Sequence, residues 1–427
     1  MQKKKVYAVS TAHLDTVWRW DLRKTIEEYL PDTLRKNFDL IERYPDYCFN
    51  FEGAFRYQLI EEYYPLAFAE IQNLVKRGNW YPAGACYENG DVNIPSPEAL
   101  FRNILLGNRY FQEKFGVQSK DIFLPDCFGF GQALPSVMKY AGLLGFTTQK
   151  LSWGSAYGVP FTLGYWQGVD GSRVLACPNA RSYRSKFSGD LRGEVSVIDD
   201  VAKNAFEGGL PYAQHLYGTG DVGGAPTEES VQSVCASAAE NEQKDFDVIS
   251  ARSDQIFKDI DALPDSDKDR LPVWNNELLM TSHGAGGYTA RAMGKRLNRQ
   301  CEVLADVAES TLSTAELLGV YTYPQETVTK AWERLIQHQF HDDLPGTSNM
   351  DIYNTGWNDY HTSLVQLQGE YTGAVGAIAN QLDTQWVTDC ALIVHNPLPF
   401  ARTESVEAHV RLNHNGKYLR VLDRDGN

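Results

Sequence analysis

The stretch KVYAVSTAHLDTVWRW, residues 5–20, places a histidine and an aspartate directly after an apolar run. Residues 5–12 are rich in β-branched, aromatic and small side chains, which predicts a β-strand. His13 and Asp15 are two residues apart, so on an extended chain their side chains point the same way. On these residues alone the pair is either a metal site or a local hydrogen-bonded pair, because a lone His-x-Asp is a weak signal.

Strand-like and helix-like segments alternate from this stretch to about residue 280. Ile26, Leu30, Leu34 and Phe38 recur at steps of four, which predicts a helix over 23–43, and residues 56–77 repeat the pattern. DIFLPD (121–126), HLYGTGD (215–221) and LPVWNNE (271–277) are predicted as later strands. The alternation predicts an α/β fold, a parallel-strand barrel-like domain with helices outside. In such folds the chemistry lies at the carboxyl ends of the strands.

The character of the sequence changes twice after this region. Residues 296–319, 327–340 and 361–385 predict an α-helical bundle, and strand-like segments return after residue 388. We therefore predict an α/β catalytic domain over 1–285, a helical bundle over 286–386, and the start of a β domain over 387–427. Three short strands do not make a stable β domain alone, so we expect the chain to be cut from a longer protein.

Composition and charge exclude several classes of function. The formal net charge of −15 argues against nucleic acid as a partner and is compatible with a neutral polar substrate. No apolar run reaches the length that spans a bilayer, and the apolar run after Lys3–Lys5 is too short for a secretory signal. The seven cysteines are odd in number and form no C-x-x-C pair, which predicts reduced thiols and a cytoplasmic location.

Three more segments end in residues that could join His13 and Asp15. Asp126 follows IFLP, Asp221 follows HLYGTG, and His341 lies in QHQFHDDLPGTS. Imidazole and carboxylate together suit zinc, and also manganese or cobalt. Each segment also has a structural interpretation: a turn or cap before glycines for Asp126, a flexible turn for Asp221, and a helix end for His341.

The motifs taken together, in their order, resemble glycoside hydrolase family 38, which contains the class II α-mannosidases. The resemblance begins at AHLDTVWRW and includes the following segments: YPDYCFNFEGAFRYQLIEEYYP, GNWYPAGACYENGDVNIPSPEAL, FLPDCFGFGQALP, FTTQKLSW, GTGDVGGAPT, ELLMTSHGAGGYTARAMGKRLNR, QFHDDLPGTS and IVHNPLPFARTE. It covers almost the whole chain and about the N-terminal half of a typical member. It implies a seven-stranded β/α-type catalytic domain and a retaining α-mannosidase that holds one zinc ion.

The resemblance also implies roles for individual residues. It implies that zinc is bound by four residues: His13, Asp15, Asp126 and His341. Asp126 would also be the nucleophile. His338 falls outside the matched position, so a structural role is expected for it. It implies Asp221 as the candidate acid/base, although Val222 and Ala225 depart from the pattern of many members. It implies that further positions line the substrate site: Trp18, Phe128, Asp342, Lys150, His283 and Tyr288. Many members have arginine where this chain has Gly284 or Ala285, so the roles of His283 and Tyr288 stay open.

The implied substrate is an α-mannoside glycan or oligosaccharide, and a homo-oligomer is compatible with the acidic composition. Two other functions remain open on the residues. A metal-dependent carbohydrate deacetylase would also place His and Asp at strand ends, where a metal activates water. An inactive carbohydrate-binding fragment would retain the fold and lack residues from a C-terminal part.

Overall fold

The computed structural model describes residues 2–387, 390–411 and 420–423. Strands and helices alternate up to residue 280, and helices follow. The strands of the described chain are β1 (Lys4–Ala12), β2 (Phe49–Glu52), β3 (Trp80–Ala83), β4 (Asp121–Phe123), β5 (Gly129–Phe130), β6 (Gly145–Thr147), β7 (Gly164–Gln167), β8 (Arg173–Cys177), β9 (Tyr212–Thr219), β10 (Phe246–Ser250), β11 (Val273–Trp274) and β12 (Leu278–Leu279).

The α-helices are distributed between the strands and then follow one another after β12. They are α1 (Leu22–Lys24), α2 (Leu30–Arg43), α3 (Ala54–Tyr63), α4 (Pro65–Arg77), α5 (Pro97–Phe115), α6 (Leu134–Tyr140), α7 (Val195–Gly208), α8 (Glu228–Ala239), α9 (Gln255–Asp261), α10 (Asp265–Lys268), α11 (Ala292–Leu317), α12 (Gln325–Gln337) and α13 (Met350–Ala379).

Strand β1 is the centre of the first sheet. It pairs in parallel with β9 along almost its whole length, from Lys5 opposite Tyr212 to Ala12 opposite Thr219. Its other edge is shared, because β10 pairs with its first half and β2 with its second half, both in parallel. β3 lies beside β2 at the edge of this sheet. Because β1 is paired on both edges, its side chains are almost all buried, as the apolar run predicts.

The second sheet has the order β11-β7-β8-β6-β4, parallel except for the β7–β8 pair, and β5 and β12 form a separate antiparallel pair. Backbone hydrogen bonds link the two larger sheets at both junctions. The Ala85 amide, after β3, donates to the Asp121 carbonyl of β4 at 2.8 Å, and the Leu216 amide of β9 donates to the Ala180 carbonyl after β8 at 2.7 Å.

These two links complete a ring of seven strands: β1, β2, β3, β4, β6, β8 and β9. The predicted α/β fold with a seven-stranded parallel barrel is therefore confirmed, with the ring divided into two sheets. Parallel strands in a ring bring their carboxyl ends to one face, and His13, Asp126 and Asp221 all follow such ends. The fold thus gathers residues that are more than 200 positions apart in sequence.

Two predicted helices are interrupted at prolines. The helix predicted over 23–43 contains a π-helical turn at Thr25–Tyr29, where the Leu30 amide donates to the Thr25 carbonyl. Pro31 follows in the first turn of α2 and has no amide hydrogen, so it cannot donate to the preceding turn and the regular hydrogen-bond pattern is interrupted there. The helix predicted over 56–77 is two helices, because Tyr64 takes a non-helical conformation before Pro65.

The chain divides into two compact units. The first contains Met1–Glu302 and Trp332–Ser363, and the second contains Val303–Ala331 and Leu364–Asn427. In the second unit, Tyr321 donates to Glu370 of α13 and Tyr323 donates to Glu309 of α11. The three predicted domains, 1–285, 286–386 and 387–427, stay predictions, because α11 and α13 each run through both compact units.

The segments predicted as strands after residue 388 carry no strand in residues 390–411 or 420–423. Within the second unit, Ser310 and Thr311 of α11 bond instead to Pro397 and His395 of this segment. A strand requires a hydrogen-bonded partner, and the described residues supply none here. Part of KYLRVLD (417–423) lies outside the described residues, and the β domain stays a prediction.

The structure also describes the apolar character of the helices and the state of the cysteines. None of the described helices combines the length and the apolar character that crossing a bilayer requires. All seven cysteines are free thiols, and five of them are buried: Cys48, Cys86, Cys127, Cys177 and Cys301.

Candidate active site

Four side chains meet at the carboxyl face of the ring. His13 and Asp15 follow β1, Asp126 follows β4, and His341 lies in the turn after α12. One ligand atom from each of the four lies within 4.8 Å of the others, and all four residues are buried. The structure therefore brings together the four residues predicted to bind a metal.

Hydrogen bonds to the outer nitrogens orient both imidazole rings. His13 Nδ1 lies 2.7 Å from Glu52 Oε1, and His341 Nδ1 lies 2.9 Å from the Asn89 carbonyl oxygen. The inner nitrogens point at the carboxylates, with His13 Nε2 3.0 Å from Asp15 Oδ1. A histidine that bonds a carboxylate or carbonyl through one nitrogen and leaves the other free is the usual arrangement of a metal ligand.

The cluster fits a metal ion. His341 Nε2 is buried and has no hydrogen-bond partner within the described chain, although Asp15 Oδ1 lies 3.4 Å away. An unsatisfied buried nitrogen of this kind costs about 1–3 kcal/mol, and coordination removes that cost. Two imidazole nitrogens and two carboxylate oxygens form a donor set that suits zinc, and also manganese or cobalt.

The electrostatics of the cluster are those of a cation site. Burial lowers the pKa of His13, but hydrogen bonds with Asp15 and Glu52 outweigh burial and raise the pKa to about 10. Burial is likewise outweighed at His341, whose pKa is raised chiefly by Asp15. The same histidines lower the pKa of Asp15 against the effect of its burial. A cation that binds here must displace protons, so metal affinity rises with pH.

Asp126 is held by a cation and a hydroxyl. Lys150 Nζ lies 2.5 Å from Asp126 Oδ1, and the Tyr183 hydroxyl lies 3.1 Å from the same oxygen. The other oxygen, Oδ2, lies 3.8 Å from His341 Nε2. Lys150 is almost fully buried, so its charge acts on Asp126 with little screening by solvent.

Asp221 is joined to Asp126 through Tyr183. The Tyr183 hydroxyl donates to Asp221 Oδ1 at 2.8 Å, and Arg184 Nη2 lies 2.5 Å from Asp221 Oδ2. Burial and the charges of Asp126 and Asp221 raise the pKa of Tyr183, so its hydroxyl keeps its proton. A single hydroxyl hydrogen can be donated to only one of the two carboxyl groups at a time.

The predicted substrate residues fall into two groups. Phe128, Asp342 and Lys150 contact the cluster: the Phe128 ring is 5.9 Å from the His341 ring, and Asp342 Oδ2 is 3.4 Å from His341 Nε2. Asp342 also accepts a hydrogen bond from the Thr347 hydroxyl, and burial raises its pKa to about 7. His283 contacts Phe128 rather than the cluster, and the centres of the two rings are 5.9 Å apart.

Trp18 and Tyr288 have other contacts. The Trp18 ring packs against Trp20 and under the Arg19 guanidinium, and none of its ring contacts in the described chain involves the cluster. The Tyr288 hydroxyl donates to Asp91 Oδ1 at 2.5 Å. Tyr288 and Phe128 border a cavity of about 1020 Å³ with a largely apolar lining. The sugar-contact roles of Trp18 and Tyr288 stay predictions.

Three residues at the site were not predicted from the sequence. Glu52 ends β2, and a polar residue at a strand end is the signal that could have identified it. Tyr183 and Arg184 lie in ARSYRSKF, which has no motif character. The pairing of β9 with β1, and the hydrogen bond from β9 to Ala180, help to bring Tyr183 beside Asp126 and Asp221.

Fold and site together define a class: α/β barrel proteins with a buried His₂Asp₂ metal-ligand cluster at the carboxyl ends of the strands. Within it, the sequence matches the model "Glycosyl hydrolases family 38 N-terminal domain" over residues 3–277 and the model "Alpha mannosidase middle domain" over 283–378. The chain belongs to glycosyl hydrolase family 38.

Relatives with similar sequences have mannosidase names. Alpha-mannosidase G of Dictyostelium discoideum is 31% identical over 381 residues, which are 88% of this chain and 34% of that protein. Human alpha-mannosidase 2C1 is 31% identical over 402 residues, 93% of this chain and 37% of that protein. The chain thus spans about a third of the length of these curated relatives.

Solved structures show the same fold. An alpha-mannosidase from Enterococcus faecalis V583 superposes with a TM-score of 0.74 at 21% identity, covering 90% of this chain and 43% of that chain. A second family 38 structure from Enterococcus faecalis gives a TM-score of 0.65 at 18% identity, covering 91% of this chain and 42% of that chain.

Proposed function

We propose that the protein is a zinc-dependent, retaining α-mannosidase that removes terminal α-linked mannose from glycans or oligosaccharides. Membership of family 38, the mannosidase names of the relatives and the fit of the His₂Asp₂ cluster to zinc support this proposal. The observation that carries it is the Tyr183 hydroxyl, which lies within hydrogen-bond distance of both Asp126 and Asp221.

That hydroxyl limits the separation of the two carboxyl groups. With 3.1 Å to Asp126 Oδ1 and 2.8 Å to Asp221 Oδ1, the two oxygens are at most about 6 Å apart. Carboxyl groups roughly 5–5.5 Å apart are typical of retaining glycosidases, whereas inverting enzymes need roughly 6.5–9.5 Å to admit a water molecule. The short separation favours a covalent intermediate.

In the proposed reaction Asp126 attacks the anomeric carbon of mannose and forms a covalent mannosyl-enzyme. Lys150 fixes the direction of the Asp126 carboxylate through Oδ1. A bound zinc ion would supply positive charge beside Asp126 and coordination positions for sugar hydroxyls. Asp342, beside His341, is positioned to bind a hydroxyl of the same sugar, and the buried Phe128 ring to pack against its apolar face.

Asp221 acts as acid and then as base. It first protonates the leaving oxygen and later takes a proton from the water that hydrolyses the mannosyl-enzyme. Arg184 occupies Asp221 Oδ2 in this structure, and its side chain is half exposed. The leaving oxygen therefore has to displace Arg184 from Oδ2, while the Tyr183 hydrogen bond keeps Oδ1 in place.

Kinetics of two variants of the full-length protein test the assignment. Asp126→Asn should abolish hydrolysis of every α-mannoside, because no nucleophile remains. Asp221→Asn should lower kcat/KM strongly for a poor leaving group and little for a dinitrophenyl mannoside, whose leaving group needs no proton. Its kcat for the dinitrophenyl mannoside should still fall, because Asp221 is also the base of the second step. The exposed Asp245→Asn is the control and should leave both rates unchanged.

The outcomes distinguish the alternatives. Undiminished hydrolysis by Asp126→Asn would remove Asp126 from the nucleophile role, and inverted product would remove the covalent intermediate. Release of acetate from an acetylated sugar without glycosidic cleavage would instead support a deacetylase. A homo-oligomeric state and a cytoplasmic location stay predictions.

A further inference from the structure

One large aromatic ring beside the candidate active site is exposed and yet held in place. Trp153 ends the short 3₁₀ turn Lys150–Trp153, and 45% of its surface is exposed. Its indole N–H donates to Gln149 Oε1 at 3.0 Å, and its carbonyl accepts from the Ser282 hydroxyl at 2.9 Å. A half-exposed ring that hydrogen bonds hold at both its side chain and its backbone is suited to packing against the apolar face of a ligand.

Trp153 lies close to the reacting carboxylate. The Lys150 ammonium bonds Asp126 Oδ1 at 2.5 Å, and it lies 5.1 Å from the centre of the Trp153 ring and 5.2 Å from that of Phe128. The ammonium is therefore near both rings. A ligand that packs on Trp153 would therefore lie close to a sugar bound beside Asp126.

His283 connects the two rings on the outside. Its ring centre is 5.9 Å from Phe128 and 5.0 Å from Trp153. Phe128 is buried, whereas His283 and Trp153 are exposed. The three side chains, which we name the aromatic rim, thus extend from the buried cluster towards solvent in the order Phe128, His283, Trp153.

We propose that Trp153, with His283, forms the binding site for the leaving-group sugar, the ring bonded to the mannose that Asp126 attacks. This proposal rests on the proposed mannosidase function. Sugar rings present apolar C–H faces that pack on indole, while their hydroxyls can bond an imidazole at the edge. The ligand class is a neutral sugar, so this enzyme should prefer oligosaccharides to mannosides with a small leaving group.

Two substrates separate this site from the mannose site. α-Mannosyl fluoride has no second ring, and an α-linked mannobiose has one. In the full-length protein, Trp153→Ala should lower kcat/KM for the disaccharide about tenfold or more while changing kcat/KM for the fluoride less than twofold. Trp153→Phe should keep most of the disaccharide activity, because an aromatic face remains.

Tyr157→Ala is the matched control. Tyr157 is a similarly exposed aromatic in the same segment, but its ring packs on Trp274 rather than on the aromatic rim. It should leave both substrates unaffected. An equal loss on both substrates in Trp153→Ala, a loss on neither, or a Phe variant as impaired as the Ala variant would overturn the leaving-group site. Absence of fluoride hydrolysis by the unmodified protein would overturn the proposed function itself.

Discussion

A substitution at Glu52 can test metal binding with little change to the packing of the protein. Its carboxylate accepts from His13 Nδ1 at 2.7 Å, which leaves Nε2 of the same ring directed at Asp15. Glu52→Gln keeps the size of the side chain and removes the negative charge. We expect zinc affinity to fall about 10- to 100-fold, as for other residues that orient metal-binding histidines.

Competition with a chromogenic chelator measures this affinity directly, without an activity assay. Glu61→Gln supplies the control, because Glu61 bonds Tyr110 and Lys114 away from the cluster. Equal zinc affinities for the two variants would show that Glu52 does not orient His13.

At this scale the sequence predicted the four residues of the candidate metal cluster and missed the residues that support them. His13 and Asp15 could be recognised because they share one strand end. Tyr183 could not, because it follows a different strand and its role depends on two carboxyl groups brought in by β4 and β9. A local pattern identifies residues that act with sequence neighbours, whereas a tyrosine between two distant carboxylates is defined only by the fold.

Helix α5 shows how packing reverses the usual effect of a glycine. A Cβ on Gly107 would lie 2.3 Å from the Ala85 carbonyl oxygen, in the segment after β3. Gly107→Ala should therefore destabilise the protein by about 2 kcal/mol or more, although alanine favours helices. Gly294→Ala in α11, where a Cβ meets nothing within 4 Å, should instead stabilise by about 0.5 kcal/mol.

Urea unfolding of the two variants beside the unmodified protein gives the comparison. The two changes are chemically identical and both lie in helices. If both variants shift the midpoint in the same direction, the close approach of α5 to the Ala85 segment is not the controlling interaction.

His338, directly after α12, forms a pH-dependent ion pair with two carboxylates, one in the connection to α13 and one in α13 itself. His338 Nδ1 lies 2.7 Å from Asp343 and Nε2 lies 2.9 Å from Asp359. Burial lowers the pKa of His338, but these carboxylates outweigh burial and raise it from 6.5 to about 9. The raised pKa means that the pair contributes fully below pH 6.5 and loses its contribution as pH rises through about 9.

His338→Gln should accordingly reduce the free energy of unfolding by about 3 kcal/mol near pH 6, and by clearly less near pH 9.5. Urea unfolding at the two pH values measures the difference. The exposed His361→Gln, in α13, should change stability little at either pH. A cost for His338→Gln that stays constant or grows with pH would contradict the ion-pair account.

Element by element, periodicity predicted the helices and strands better than their ends. Apolar spacing places β1, β9, α11 and α12 within a few residues of their observed bounds. In contrast, α13 begins at Met350, 11 residues before its predicted start at residue 361. The π-helical turn at Thr25–Tyr29 and the break at Tyr64 are set by prolines inside otherwise periodic segments. The segments after residue 388 have strand-like composition, but composition cannot supply a hydrogen-bonded partner.

For the whole ring, the proposed metal ligands would have a mechanical role as well. His13 and Asp15 follow a strand of the first sheet and Asp126 follows a strand of the second. The hydrogen bonds that join the two sheets include those of the Ala85 and Leu216 amides. A bound ion would therefore cross-link the sheets. Chelation should speed hydrogen exchange at the linking amides of Ala85 and Leu216 by about tenfold, more than at amides between β1 and β9.

Mass-spectrometric hydrogen exchange with and without chelator measures this difference. Asp126→Ala, which lacks the ligand from the second sheet, is the control and should be insensitive to chelation. Uniform acceleration across both sheets would show that the ion stabilises the unit as a whole without acting at the two links.

The central position of β1 also determines how the protein is made. Its partners on both edges include residues 212–219 and 246–250, which are translated about 200 residues later. At about 5–20 residues per second, the ribosome needs roughly 10–40 s to produce them. During that interval most of β1 has no partner, because β2, which is already made, pairs only with Ser10 and Thr11. The basic run Lys3–Lys5, whose last two residues begin β1, would oppose association between nascent chains. A chaperone that binds short apolar segments would recognise this strand first.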